Sequence, residues 1–195
     1  MALTLGAALL WYLQFFNAFN VPYYDFFSYQ ENALRYLQLQ PPESFKRLPL
    51  FPGLIGLLSL VMPGPHPILQ AAELLNLLLA PLCLWLIARI TRQFLGARAS
   101  LVVVALCAVN PVMAFSVVQP LSEMTILTCV LLVVDLSLRG SRWAYVAAFF
   151  ASLTRYEAVL LIPALVLQDR LGATGNRKAR SLAWGALASI GIVMW

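Results

Sequence analysis

Three apolar runs, at about 69–88, 99–118 and 121–138, follow one another with only short interruptions. Each is close to the 20 or so apolar residues that a helix needs to cross a bilayer. The chain as a whole is apolar, since 62% of its residues are hydrophobic and 11% are charged, against about 45–50% and 25% in soluble domains. This excludes a soluble globular protein, a disordered chain and a nucleic-acid-binding module. We expect an all-α, polytopic transmembrane bundle of about seven helices plus interfacial helices.

The residue types that build most metal and nucleotide sites are scarce. Cys83, Cys107 and Cys129 stand in separate apolar runs without the spacing of metal ligands, and the single histidine, His66, lies in a proline-rich turn. The sequence also contains no glycine-rich phosphate loop and no Walker lysine. A zinc site and a soluble nucleotide site are therefore not expected.

Residues 20–47 form the most polar stretch of the first half. Within it, Asp25 to Gln38 has a polar and an apolar face at helical spacing, with several tyrosines, which is typical of a helix lying in the membrane interface. The apolar segment 48–62 contains prolines and is short for a span, so we expect a re-entrant or interfacial helix. We interpret residues 1–195 as one transmembrane domain and 20–68 as its first extracytoplasmic loop.

Charge distribution predicts the orientation in the membrane. Nine of the 13 lysines and arginines fall in three loops, at 89–98, 139–142 and 170–180. The positive-inside rule places these loops in the cytoplasm. Six of the eight acidic residues then lie toward the extracytoplasmic half, unless segment 48–62 crosses the membrane. We expect an integral protein of the plasma or inner membrane, or of the endoplasmic reticulum, with an extracytoplasmic active face.

Acidic residues in or beside hydrocarbon are costly and are often functional. Asp25 is either the N-cap of the interfacial helix or a catalytic acid. Glu123, just after Pro120, is either a helix N-terminal acid favoured by the helix dipole or a site carboxylate. Arg155 and Glu157 either pair with each other near a turn or line a polar site.

The order of these polar residues resembles the GT-C superfamily of glycosyltransferases that use polyprenyl-phosphate sugars, such as protein O-mannosyltransferases and aminoarabinose transferases. The segments concerned are RLPLFP (47–52), LWLIARITRQFLGARASLVVVALCAVNP (84–111), PLSEMTILTCVLLVVDLSL (120–138) and SLTRYEAVLLIPALVL (152–167). In the last, Tyr156 stands where the family usually has proline and Ala158 where it usually has glycine.

The resemblance implies an inverting transfer of a hexose such as mannose from a polyprenyl phosphate to a hydroxyl acceptor, within a core of about seven helices. Matched by position, Asp25 is the catalytic acid and Glu123 a second site acid near the lipid phosphate or the acceptor. Arg47 and Arg155 are the expected partners of the donor phosphate. Glu157 and Tyr24 complete the expected substrate-binding set.

Several expectations stay open at this level. The two acids, Asp25 and Glu123, could ligate Mg²⁺ or Mn²⁺. Family members usually continue for several more helices, which implies a truncated product or a second subunit that supplies them. The main alternative is a non-catalytic membrane subunit or lipid-binding scaffold with the same fold. A small transporter is less favoured, because no internal repeat is visible.

Overall fold

The structure, a computed structural model, describes residues 2–14, 24–172 and 176–193. All regular secondary structure in these ranges is helical, which confirms the all-α prediction for the described residues. Residues 20–23 of the predicted first loop lie outside them. The helices are α1 (Ala2–Leu13), α2 (Tyr24–Leu37), α3 (Leu50–Ser59), α4 (Pro67–Val109), α5 (Pro111–Val118), α6 (Glu123–Leu138), α7 (Trp143–Ser152), a 3₁₀ helix (Tyr156–Leu160), α8 (Leu161–Gly172) and α9 (Asn176–Val193).

The helix α4 folds back on itself at Gly96. This glycine has a φ of 77°, in the left-handed region that favours glycine, and both flanking arms are helical. The Ser100 hydroxyl donates a hydrogen bond of 2.9 Å to the carbonyl of Ala88, although twelve residues of straight helix would separate them by about 18 Å. The predicted basic loop at 89–98 is therefore wrong in form, because the segment is helical on both sides of one kinked residue.

Few of the described helices are both long enough and apolar enough to cross a membrane. By length and composition, α4 alone is long and apolar enough to cross a bilayer. The helices α5 and α6 are bent by 116° at their junction, and only the two together are long and apolar enough to cross. These helices support residence in a membrane, whereas the expected total of about seven spanning helices stays a prediction.

The helices α2 and α3 pack closely beside α4. A Cβ added to Gly56 of α3 would lie 3.3 Å from the carbonyl oxygen of Ala33 in α2, so the glycine allows the close approach. Phe26 of α2 and Phe51 of α3 are buried at this contact. The ten residues of α3 rise only about 15 Å, half the thickness of the hydrocarbon core.

Candidate functional site

An ion pair joins Asp25 and Arg47, two of the predicted site residues. Asp25 is the second residue of α2, so its side chain does not hold the N-cap position. Nη2 of Arg47 pairs with Oδ1 of Asp25, and Nε of the same guanidinium donates a hydrogen bond of 2.9 Å to Ser28 Oγ. The first turn of α2 thus binds the arginine through a carboxylate and a hydroxyl.

The loop that contains Arg47 is fixed to α2 by a buried asparagine. The Asn32 side chain donates a hydrogen bond of 3.1 Å to the carbonyl of Ser44, and its own oxygen accepts one of 3.1 Å from the amide of Glu43. The carbon at the centre of the Arg47 guanidinium lies 4.8 Å from the centre of the Tyr29 ring, a cation–π distance. The position of Arg47 is therefore set by α2.

Tyr29 connects this ion pair to the start of α6. Its hydroxyl lies 3.0 Å from Ser122 Oγ, and both side chains are buried. Nη1 of Arg47 also donates to the Tyr29 hydroxyl, at 3.5 Å. The Tyr29 ring packs edge-on against Phe51 of α3, with 5.0 Å between ring centres. Ser122 immediately precedes Glu123, so this contact leads to the second predicted acid.

Glu123 forms a second charged group with Arg155 and Glu157. Nη1 of Arg155 lies 3.5 Å from Glu123 Oε1, and its Nε lies 3.6 Å from Glu157 Oε2. The arginine and Glu123 are both more than 40% exposed, whereas the other carboxylate oxygen of Glu123 is buried without a hydrogen-bond partner among the described residues. The pair can therefore be reached by a ligand from outside.

The turn that contains Arg155 also contacts the loop that contains Arg47. The Tyr156 hydroxyl donates a hydrogen bond of 2.6 Å to the carbonyl of Phe45, and the amide of Leu50 donates one of 3.0 Å to the carbonyl of Leu153. Tyr156 thus links the two loops. These contacts bring both charged groups to the same end of the helices.

The break between α5 and α6 determines where Ser122 and Glu123 lie. Pro120 interrupts the helix, and its neighbours' carbonyls need other donors. The buried Asn76 of α4 supplies them, since its amide nitrogen donates to the carbonyls of Gln119 at 2.6 Å and Leu121 at 3.1 Å. Asn76 was not among the predicted site residues, although an asparagine in the middle of an apolar run is a visible signal.

We call Asp25, Arg47, Glu123, Arg155 and Glu157 the paired-charge cluster. All five were predicted as site residues from the sequence. In the structure they form two groups joined through Tyr29 and Ser122. Tyr24, the sixth predicted site residue, is 89% exposed. Sequence reasoning noted Tyr29 only as one of several aromatic residues and did not assign Ser122 a role.

Both predicted metal-binding acids are paired with arginines. Each of the predicted metal-binding acids, Asp25 and Glu123, contacts an arginine, and that positive charge opposes a bound metal ion. Within the described residues, no group of three His, Cys, Asp or Glu could hold a metal. Further along α2, burial raises the pKa of Tyr36 to about 12, so this phenol stays protonated at neutral pH.

An apolar cavity lies beside the Asp25 end of α2. Its volume is about 500 Å³, and it is bounded by α2 and by the proline-rich turn that enters α4. Phe26 and Phe27, the two residues after Asp25, form part of its wall. The other lining residues are Gln30, Leu34, Pro65, His66, Pro67, Ile68 and Leu69. At 3.6 residues per turn, the lining positions of α2 fall on the face opposite Asp25 and Ser28. The cavity and the ion pair therefore share a helix but not a face.

The Tyr29 hydroxyl gives a direct test of the link between the two groups. We expect Tyr29→Phe to lower the free energy of unfolding by about 1–2 kcal/mol, because it leaves the buried Ser122 hydroxyl without this partner. Chemical unfolding of the detergent-solubilised protein would measure the change. Tyr24→Phe is the matched control, since that side chain is 89% exposed. Equal losses in the two variants would contradict the buried link.

The described residues thus form a helical protein in which one helix is long and apolar enough to cross a membrane. The paired-charge cluster lies at one end of its helices. No family model matches the chain, and no curated protein or solved structure matches it either.

Proposed function

We propose that the chain is a membrane glycosyltransferase that moves a sugar from a polyprenyl-phosphate donor to a hydroxyl acceptor on the extracytoplasmic side. The observation that carries the proposal is the paired-charge cluster, in which two arginines and three carboxylates form two linked ion-paired groups at one end of the helices. Such a transfer needs a base for the acceptor hydroxyl and cations for the departing phosphate. The cluster offers both kinds of group.

In the proposed reaction, the Asp25 carboxylate takes the proton of the acceptor hydroxyl. The acceptor oxygen attacks the anomeric carbon of the sugar from the face opposite the phosphate, which inverts the configuration. The bond between that carbon and the phosphate oxygen breaks, and the electron pair leaves with polyprenyl phosphate. Arg47 and Arg155 stabilise the negative charge of this leaving group through charge-assisted hydrogen bonds.

The ion pairs define a resting arrangement of the site. Arg47 contacts Asp25, so a donor phosphate would compete with that carboxylate for the arginine, whereas Glu123 and Glu157 hold Arg155 in position from two sides. Exposed ion pairs contribute little net free energy, about 0–1 kcal/mol, and such an exchange is therefore accessible. Binding of the donor would leave Asp25 free to act as a base.

The direct test is turnover by the purified full chain in lipid vesicles. Polyprenyl-phosphate mannose and polyprenyl-phosphate aminoarabinose would be supplied with hydroxyl-bearing peptides and sugars as acceptors. We expect time-dependent release of polyprenyl phosphate that needs both an acceptor and intact protein. Binding of the donor without any turnover would contradict the proposal.

Glu123→Gln is expected to lower kcat/KM for the donor about fivefold, because one exposed ion pair contributes at most about 1 kcal/mol. Among the described residues, Arg155 pairs with the carboxylates of Glu123 and Glu157, so the variant holds the arginine less firmly. Steady-state kinetics at varied donor concentration would measure the effect. Glu157→Gln is the control, since its carboxylate is 75% exposed and we expect a smaller loss. Unchanged kinetics would reduce Glu123 to a helix N-terminal acid.

A non-catalytic scaffold is the second candidate, and the same ion pairs favour it. Both central carboxylates are paired with arginines, as in a purely structural clamp between helices. Under this alternative, the protein binds polyprenyl phosphate through its arginines without consuming the donor. The turnover experiment separates the two functions.

A further inference from the structure

A second group of arginines lies at the opposite end of the helices from the paired-charge cluster. Asp135 of α6 is buried, and its Oδ2 lies 3.2 Å from Nη2 of Arg89 and 3.3 Å from Nε of Arg139. The Arg89 guanidinium also lies 4.3 Å from the centre of the Trp85 ring. The Asp135 carboxylate thus pairs with two arginines, and its contact with Arg89 links α6 to α4.

The ends of α7 and α8 belong to the same region. The Ser137 hydroxyl of α6 donates a hydrogen bond to the Gln168 side chain of α8, and the Tyr145 hydroxyl of α7 donates one of 2.9 Å to Asp169. Asp135 and Asp169 are the acidic residues of this region, and both are engaged in these contacts.

Four further arginines here have no ion pair with an acid among the described residues. All four are exposed, so this end of the protein has an excess of positive charge facing outward. They are Arg92, Arg98, Arg142 and Arg170. We call them the outer arginines.

Each outer arginine lies close in sequence to a large exposed apolar side chain. Between Arg92 and Arg98, at the Gly96 kink, Phe94 is 67% exposed and Leu95 is 57% exposed. The same holds at the other two turns, where exposed Trp143 directly follows Arg142 and exposed Leu171 directly follows Arg170. Each of these three turns thus has an exposed arginine close to a large exposed apolar side chain.

We propose that this end binds the headgroup phosphates of anionic glycerophospholipids. The outer arginines contact the phosphates, while Phe94, Leu95, Trp143 and Leu171 lie among the upper acyl chains. Arginines attract anionic lipids at a membrane surface, and exposed aromatic and leucine side chains enter the boundary between headgroups and chains. A free phosphate ion would match the arginines but leaves the four apolar side chains without a role. The proposal does not depend on glycosyl transfer at the other end.

The test measures lipid binding to the full chain in neutral detergent. Native mass spectrometry would count retained lipids after titration with dioleoyl phosphatidylglycerol or dioleoyl phosphatidylcholine. We expect the anionic lipid to bind preferentially. We expect Arg92→Gln/Arg98→Gln to weaken its binding about fivefold for each arginine removed. Arg92→Lys/Arg98→Lys keeps the charge and should retain most of the binding, which separates lost charge from faulty folding.

Matched controls make the proposal falsifiable. Arg35→Gln/Lys46→Gln removes the same charge from the α2 side and should leave phosphatidylglycerol binding unchanged. Phe94→Ser/Leu95→Ser should weaken lipid binding without changing any binding of inorganic phosphate. Three results would each overturn a lipid site at this end. The two lipids could bind equally, or the two charge-removing variants could lose binding equally. Alternatively, 10 mM inorganic phosphate could displace all of the lipid.

Discussion

Asp25→Asn is expected to abolish sugar transfer while the protein still folds and still binds the donor. General base catalysis contributes about 10²–10⁴-fold to a rate, and the amide that replaces the carboxylate cannot accept the acceptor's proton. We therefore expect kcat to fall at least about a hundredfold. Release of polyprenyl phosphate, measured at saturating donor and acceptor, would give the change.

Donor binding should separate a catalytic role from a structural one in this variant. Without the Asp25 carboxylate, Arg47 keeps its contacts with Ser28 and Tyr29 and loses its competing anion. The affinity for a polyprenyl-phosphate donor should then stay the same or increase while kcat falls. A parallel loss of affinity and kcat would indicate that Asp25 only positions Arg47.

Glu31→Gln is the matched control for this experiment. Glu31 lies on the same helix and also pairs with an arginine, since its Oε1 is 3.2 Å from Nε of Arg35. The variant removes one carboxylate beside one arginine without touching the paired-charge cluster, so activity should stay near that of the unmodified protein. Full activity of Asp25→Asn, or equal losses in both variants, would contradict the assignment of Asp25 as the base.

Local sequence patterns predicted the helix that presents Asp25, because amphipathic spacing depends only on near neighbours. The predicted range of 25–38 agrees closely with α2 at Tyr24–Leu37. The role of Asn32 was not predictable in this way. The pattern assigns it to the polar face, whereas the side chain is buried by the loop at 43–44 that folds over that face.

The remaining connections depend on contacts between distant parts of the chain. Tyr29 and Ser122 are 93 residues apart, and no spacing rule joins them. The kink at Gly96 is equally hidden, since an isolated glycine in a helical pattern is often tolerated without a break. The sequence marks the chemically useful residues because charges are scarce in it, but tertiary packing decides which of them meet.

Asn76 is the residue whose replacement should most destabilise the protein. Asn76→Leu keeps the approximate size of the side chain but removes the donor to the carbonyls of Gln119 and Leu121. The Leu121 carbonyl loses this donor, and a buried carbonyl without a donor costs about 1–3 kcal/mol. The Gln119 carbonyl still accepts a hydrogen bond of 2.8 Å from the Leu121 amide, so it loses one of two hydrogen bonds, about 1 kcal/mol more. We therefore expect the free energy of unfolding to fall by about 2–4 kcal/mol.

Asn110→Leu is the natural comparison, because it is the same substitution at the other end of α5. The Asn110 side chain accepts hydrogen bonds from the amides of Val112 and Met113 and caps the helix at an exposed site. Losing a cap costs about 1 kcal/mol, so the effect should be clearly smaller. Chemical unfolding in one detergent would rank the two variants. Equal losses would mean that Asn76 is an ordinary polar residue.

A second measurement follows the geometry of the break itself. Ser122 is 1% exposed because the break holds it against Tyr29. In a background without the three native cysteines, Ser122→Cys should react slowly with a water-soluble maleimide. Adding Asn76→Leu should accelerate that reaction strongly, whereas adding Asn110→Leu should not.

A displaced break would also separate Glu123 from Arg155, because Glu123 directly follows Ser122. The Asn76 variant should then lose stability and donor turnover together. A stable, slowly labelled Asn76→Leu protein would show that Pro120 and packing alone fix the break.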